Sequence, residues 1–96
     1  MPEKSPELIL YQYPECPFCA RVNRAIEDLG LEQKIESRNT RLDREHRNAL
    51  IQLTGRTQVP CLVIDGKPML ESADIVDYLY REYGRGKKPP RRFWPF

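Results

Sequence analysis

Nowhere in this 96-residue chain do about 18 apolar residues run together, so no segment reads as a membrane-spanning helix. The opening residues, Met1-Pro2-Glu3-Lys4-Ser5-Pro6-Glu7, are polar and acidic rather than charged and then apolar, so an export signal is not indicated. A cytoplasmic, reducing location is the expectation. Histidine is nearly absent. His46 is remote from the three cysteines, so a four-ligand zinc site within one chain is not expected, although two chains could share ligands, and no metal ligands are assigned. No internal repeat is visible. Uniform basic charge is missing too: Arg85, Lys87, Lys88, Arg91 and Arg92 put +5 into residues 84–96, and subtracting that from the overall +2 leaves the body at −3. A mildly acidic domain with a short basic tail is not a nucleic-acid binder of the ordinary kind.

What is present is enough for one core. Apolar residues make up 40% and charged residues 31%, an ordinary balance for a soluble domain of this length. Two of the cysteines stand three positions apart in Tyr13-Pro14-Glu15-Cys16-Pro17-Phe18-Cys19. An apolar run, Leu8 to Tyr11, precedes them, and Phe18, Val22, Ala25, Ile26 and Leu29 follow at helical spacing. The pair therefore falls where a buried strand hands over to a helix N-terminus. In a reducing compartment such a spacing points to redox or metal chemistry rather than to a structural staple.

A free thiol titrates near ~8.5, so little of it is thiolate at neutral pH. A helix terminus contributes at most about 2 kcal/mol, roughly 1.5 pKa units. Any larger shift requires direct N–H contacts to sulfur, which Phe18 and Cys19 are placed to supply. Pro17 suits the first helical position, where its missing N–H is not needed. Cys16 at the cap is the more exposed and electropositive of the two, so it is expected to attack and Cys19 to resolve. Glu15 opposes this, because a neighbouring carboxylate raises a thiol's pKa.

Taken in order, residues 1–7 read as a flexible leader and Leu8 to Tyr13 as a central strand covered on both faces. A helix from Pro17 to Leu29 is closed by Gly30. Leu31 to Ser37 is expected as a second strand. An amphipathic helix follows from Asp43 to Leu53, with His46 at its rim. Val59 to Ile64 forms a third strand, and Asp65-Gly66 turns it into Lys67-Pro68-Met69-Leu70. Ser72 is expected to cap a last helix that carries Asp74 in its first turn and Tyr78, Tyr80 and Tyr83 as packing residues. Cys61 is expected in the core. The order β-α-β-α-β-β-α specifies an α/β domain over residues 8–84, with a four-stranded mixed sheet and helices on both faces. Residues 85–96 form a basic aromatic tail, either flexible or folded back on the body.

Three separated motifs resemble the glutaredoxin family of thioredoxin-fold proteins, and more narrowly the N-terminal domain shared by GST-like glutaredoxins and glutathione transferases. They are Cys16-Pro17-Phe18-Cys19, Gln58-Val59-Pro60 and Glu71-Ser72-Ala73-Asp74-Ile75-Val76. The resemblance implies that Cys16 takes up glutathione as a mixed disulfide and that Cys19 resolves it. It implies a cis Pro60 facing the cysteines, with the Val59 backbone offered to the ligand. Tyr13, Pro17 and Phe18 would border the site. Glu71 and Ser72 would hold the γ-glutamyl end of glutathione, a role that the N–H groups of a helix start also favour.

This chain departs from the family pattern in having Phe18 where tyrosine is common, and Tyr13 where small glutaredoxins tend to carry lysine. The glycyl carboxylate then needs another cation, with Arg56 and Arg38 as candidates. Because no large helical domain follows, a stand-alone redox domain, monomeric, is the expectation. Its partners would be glutathione and glutathionylated or disulfide-bonded proteins. Two rival functions are carried forward: a thioredoxin-like reductase recycled by a protein partner, and a non-enzymatic module binding glutathione or an iron–sulfur cluster.

Overall fold

The computed structural model describes residues 6–89; residues 1–5 of the leader and 90–96 of the tail lie outside the described residues. Its elements are β1 (Leu8–Gln12), α1 (Pro17–Leu29), β2 (Ile35–Asn39), α2 (Arg44–Thr54), β3 (Cys61–Ile64), β4 (Lys67–Met69) and α3 (Ser72–Tyr83). The sheet order is β2-β1-β3-β4, with β1 and β2 parallel and the other two pairings antiparallel. The parallel pair follows from α1, which intervenes as a crossover. This is the mixed α/β, thioredoxin-like architecture expected from the order of elements.

Alternation along β1 and β3 divides the core in two. Leu8, Leu10 and Leu62 point to one face, where Val22, Ala25 and Ile26 of α1 meet Ile75, Val76 and Leu79 of α3. Tyr11, Cys61 and Val63 point to the other, where Leu50 of α2 covers them. A strand apolar at nearly every position is what burial on both faces requires. Cys61 is fully buried, as expected of a packing residue.

Helix α1 has the expected limits because both ends are chemically marked. Pro17 stands at its first position, and Gly30 closes it in a left-handed conformation, φ 67°. There the Gly30 and Leu31 N–H groups return to the Glu27 and Ile26 carbonyls.

Two expectations are corrected. The second strand begins at Ile35, not Leu31, because Leu31 is buried in closing α1 and residues 31–35 turn on its carbonyl. At α3 the capping position belongs to Glu71, in an extended conformation, while Ser72 is already helical. Glu71 provides no side-chain cap, so its carboxylate is not consumed by the helix.

Lys87, in the first part of the tail, is tied to the body. Its ammonium meets one Asp28 carboxylate oxygen at 2.9 Å, and the other oxygen accepts the Tyr80 hydroxyl at 2.5 Å. Gly84 is needed there for space rather than for its backbone angle. A Cβ would run into the carbonyl oxygens of Tyr80 and Lys87.

Helix α2 hangs on one residue. Leu50 is its single buried side chain. Truncating it to Ala is expected to cost about 2–5 kcal/mol of stability, measured by urea unfolding, whereas Leu53→Ala on the exposed side is expected to change little.

Candidate active site

The turn from β1 into α1 sets the cysteine pair. The Cys16 N–H donates to the Tyr13 carbonyl at 3.2 Å, and its own carbonyl accepts the Ala20 N–H at 2.9 Å. Cys16 is thus the capping residue of α1, at φ −81° and ψ 123°, with no side chain capping the helix in its place. Helices α2 and α3 carry Glu45 and Asp74 in their first turns, but α1 has no acid there. The positive end of α1 is therefore not answered by a carboxylate of its own first turn, and the Cys16 sulfur is the group beside it.

The two thiols differ in access. Cys16 retains 8% of its surface and Cys19 none, and both are reduced. Burial pushes the Cys19 thiol up to about 12; its hydrogen bond to Cys16 and negative charge on Cys16 push the same way, against a smaller opposite pull from the Tyr13 backbone. Cys19 is consequently a neutral thiol at physiological pH, a donor rather than a nucleophile. Burial likewise raises the Cys61 thiol to about 11.

At the first turn of α1 opens a cleft of about 300 Å³ lined by Phe18, Gln58, Val59, Pro60, Leu70, Glu71 and Ser72; neither Cys16 nor Cys19 is among its lining residues. Three distant segments meet there: the first turn of α1, the entry to β3 and the start of α3. The Val59–Pro60 peptide is cis, as the resemblance implied. Five of the residues singled out from the sequence, Phe18, Val59, Pro60, Glu71 and Ser72, therefore share one wall-to-wall space. Pro17, at the first position of α1, is not among the lining residues.

Tyr13 lies elsewhere. It lines a second hollow, of about 370 Å³, with Thr40, Arg41, Arg47 and Thr57. Thr57 and Gln58 are consecutive, so the two hollows adjoin across the chain entering β3. Arg56 lines neither; its guanidinium donates to the Gln58 side-chain oxygen at 3.3 Å, which leaves it one residue removed from the cleft. Arg38 is occupied by Glu36 at 2.6 Å and the Tyr11 hydroxyl at 2.8 Å. The cations that line the hollow beside Tyr13 are Arg41 and Arg47. Arg41 stacks 4.3 Å from the centre of the Tyr13 ring and reaches Glu15 at 3.8 Å. Gln58, whose amide donates to the Leu70 carbonyl at 3.3 Å, joins the two sides of the cleft. None of these three was singled out for the site from the sequence. Gln58 had a signal, its place in the Gln58-Val59-Pro60 motif, and the two arginines had none. Two further hollows, of about 510 and 690 Å³, lie around α3 and residues 84–89, the larger one reaching the end of α1 at Asp28 and Leu29, and neither is lined by a cysteine. Among the described residues no cluster of three or more metal-ligating side chains is present, and no helix is long and apolar enough to cross a membrane.

A cysteine capping the helix after the first strand, with a cis-proline strand opposite, defines a thioredoxin-fold domain of the glutaredoxin and glutathione-transferase kind. The chain belongs to the glutathione S-transferase N-terminal domain family, whose model matches residues 10–90. A rice protein (Oryza sativa subsp. japonica) named glutaredoxin-C4, chloroplastic, is 36% identical over 64 residues, which are 66% of this chain and 48% of that protein. Glutathione S-transferase D7 of Drosophila melanogaster is 29% identical over 84 residues, 88% of this chain and 38% of that one. A glutathione transferase homologue from Drosophila mojavensis, solved with bound glutathione, superimposes with a TM-score of 0.69 at 21% identity, covering 83% of this chain and 36% of its own. The chain thus spans less than half the length of each of these relatives.

The difference between the thiols is expected to appear in labelling. At pH 8, iodoacetamide followed by peptide mass mapping is expected to find Cys16 carbamidomethylated and Cys19 and Cys61 unmodified in the folded protein. The same raised values make the fold sensitive to alkali. A thiol whose folded pKa lies above the ordinary 9.0 keeps its proton longer in the folded state, so its contribution to stability is complete below pH 9 and lost as pH rises toward 11 and 12. Urea midpoints are expected to fall over that window, and less steeply in Cys61→Val.

Proposed function

We propose that this domain is a glutathione-dependent thiol–disulfide oxidoreductase that reduces glutathione mixed disulfides and protein disulfides. The observation that carries the reading is the pairing of a capping Cys16, which keeps 8% of its surface, with a fully buried, protonated Cys19, on the helix whose first turn helps to form a cleft with Val59, Pro60, Glu71 and Ser72. Kinship with proteins named glutaredoxin and glutathione S-transferase supports glutathione as the co-substrate.

In this reading the Cys16 thiolate attacks the glutathionyl sulfur of a mixed disulfide. The old S–S bond breaks, the partner leaves as a thiolate that takes up a proton, and Cys16 is left joined to glutathione. A second glutathione thiolate attacks that bond, giving oxidised glutathione and restoring the Cys16 thiolate. With a protein disulfide, Cys16 first joins one of the partner's sulfurs. Cys19 then loses its proton and attacks Cys16, closing an internal disulfide as the partner's sulfur leaves as a thiolate and takes up a proton; two glutathiones reopen that disulfide and depart as oxidised glutathione. Burial of Cys19 suits the division: it is withheld from solvent disulfides yet stands one turn along α1 from the sulfur it must attack.

The tripeptide would lie along both hollows. Its γ-glutamyl carboxylate would face Ser72 and the free N–H groups of α3, and its ammonium would face Glu71 and offset the acids, Glu71 and Asp74, that otherwise repel that carboxylate. The Val59 backbone would pair with the cysteinyl residue as a short added strand. The glycyl carboxylate would fall to Arg41 and Arg47, the guanidiniums that line the second hollow, in place of Arg56 or Arg38.

Turnover of the glutathione–2-mercaptoethanol mixed disulfide, coupled to glutathione reductase, tests the reading. Cys16→Ser is expected to abolish it, while Cys19→Ser is expected to retain it and lose only protein-disulfide reduction. Equal loss in both variants would defeat the assignment of roles, and a wild-type protein inactive with glutathione would defeat the function. Arg47→Ala is expected to raise KM for glutathione about tenfold with kcat little changed, the effect of losing one charge-assisted hydrogen bond.

A further inference from the structure

Four large apolar side chains are exposed among the described residues, and the two most exposed are Leu42, at 83%, and Phe18, at 53%. Both border Cys16. Phe18 is two residues along α1, and the Arg21 guanidinium lies 5.6 Å from the centre of its ring. Leu42 follows Arg41, which covers Tyr13 and reaches Glu15, the residue before Cys16. The outward aim of Leu42 is built in. The Asn39 side-chain oxygen accepts the N–H groups of Arg41 at 2.9 Å and Leu42 at 3.0 Å, which fixes the turn that presents it. On each lip of the cysteine site, therefore, a guanidinium stands beside an exposed apolar side chain. Of the carboxylates nearby, Glu15 is faced by Arg41, Asp43 accepts the Glu45 N–H as the cap of α2, and Glu71 stands across the cleft from Phe18.

We propose that these two lips, Phe18 with Arg21 and Leu42 with Arg41, are the docking surface for the polypeptide that brings its disulfide to Cys16, and that they select chains with an acidic and an apolar residue beside the reactive cysteine. The proposal deepens the oxidoreductase reading by naming the class of polypeptide it prefers. Exposed apolar side chains held in place on both sides of a buried reactive atom give a partner area to cover, and the two arginines set the sign of the charge that fits. Phe18 and Arg41 also line the two hollows assigned to glutathione, whereas Arg21 and Leu42 line neither, so those two residues are the ones that report on the polypeptide alone.

The test uses no glutathione. Two hexapeptides are prepared with a single cysteine activated as its 2-pyridyl disulfide, one flanked by Glu and Leu, the other by Lys and Ser. The Cys16 thiolate attacks the peptide sulfur, the peptide–pyridyl S–S bond breaks, and pyridine-2-thiolate leaves and is read as 2-thiopyridone. Each initial rate is divided by that with free 2-mercaptoethanol, which removes the peptides' intrinsic difference in reactivity. The wild-type chain is expected to favour the Glu/Leu peptide by about fivefold at low ionic strength, less as salt is added. Arg21→Glu is expected to remove or invert the preference, and Leu42→Ser to reduce it. Both variants should react with 2,2′-dipyridyl disulfide, which has no polypeptide, at the wild-type rate, and this also reports that the site is folded. Equal normalised rates for the two peptides, a preference unchanged in both variants, or no thiopyridone release at all would overturn the proposal. Because the reaction needs only the Cys16 sulfur, a failure of the glutathione assay leaves this result standing, and the reverse also holds.

Discussion

A strand buried on both faces has no freedom of register: a slip of one residue would exchange its two sets of side chains between two different cores. β1 is such a strand, with Leu8 and Leu10 locked against α1 and α3 and Tyr11 against Leu50 of α2. It also has a neighbour on each edge, parallel β2 and antiparallel β3. The next four residues have nowhere to go but a tight turn, closed by the Cys16 N–H on the Tyr13 carbonyl. Everything the cysteines can do depends on this constraint. It places Cys16 at a helix end and Cys19 one turn inside, without using any interaction of the sulfurs themselves.

Pairing β1 with β3 extends the constraint across the cleft. Tyr11 stands opposite Cys61, so the residues just before β3, Val59 and Pro60, come level with the end of β1 and the start of α1. β4 then returns antiparallel and delivers Leu70, Glu71 and Ser72 to the same place. Three segments far apart in sequence converge because the hydrogen-bond register of a small sheet leaves no other arrangement. The site is in this sense a property of the sheet, and only its chemistry belongs to the individual side chains.

Much of this was legible beforehand, for reasons that can be named. Pro17 and Gly30 mark α1 by backbone chemistry that acts locally, and Asp65-Gly66 marks its hairpin the same way. Local signals failed where one residue served two purposes. Leu31 is apolar because it closes α1, not because it starts a strand. Ser72 is a common capping type, yet the chain leaving β4 puts Glu71 at the last extended position. The cysteine spacing and the Gln58-Val59-Pro60 and Glu71-Ser72 motifs led to the residues of one cleft, but Arg41 and Arg47 could not be found that way. Their distance from Cys16 along the chain is bridged only by the pairing of β2 with β1.

The case of Tyr13 shows why charges counted along a sequence mislead. With tyrosine rather than lysine before the cysteines, and Glu15 beside them, the segment looks poor in positive charge. In three dimensions the aromatic ring holds a guanidinium over its face, an interaction worth about 0.5–1 kcal/mol at an exposed position. The same Arg41 meets Glu15 at 3.8 Å, where the attraction in water is about 1 kcal/mol. Neither contact is strong, but together they set a cation where the local sequence has none and place it against Glu15. A lysine at position 13 would carry its charge on a flexible stem. Here the charge comes from a turn fixed by Asn39, so its position is determined by the β2 edge of the sheet rather than by the loop that carries the cysteines. That separation lets the charge around the site be altered without disturbing the turn on which the sulfur depends.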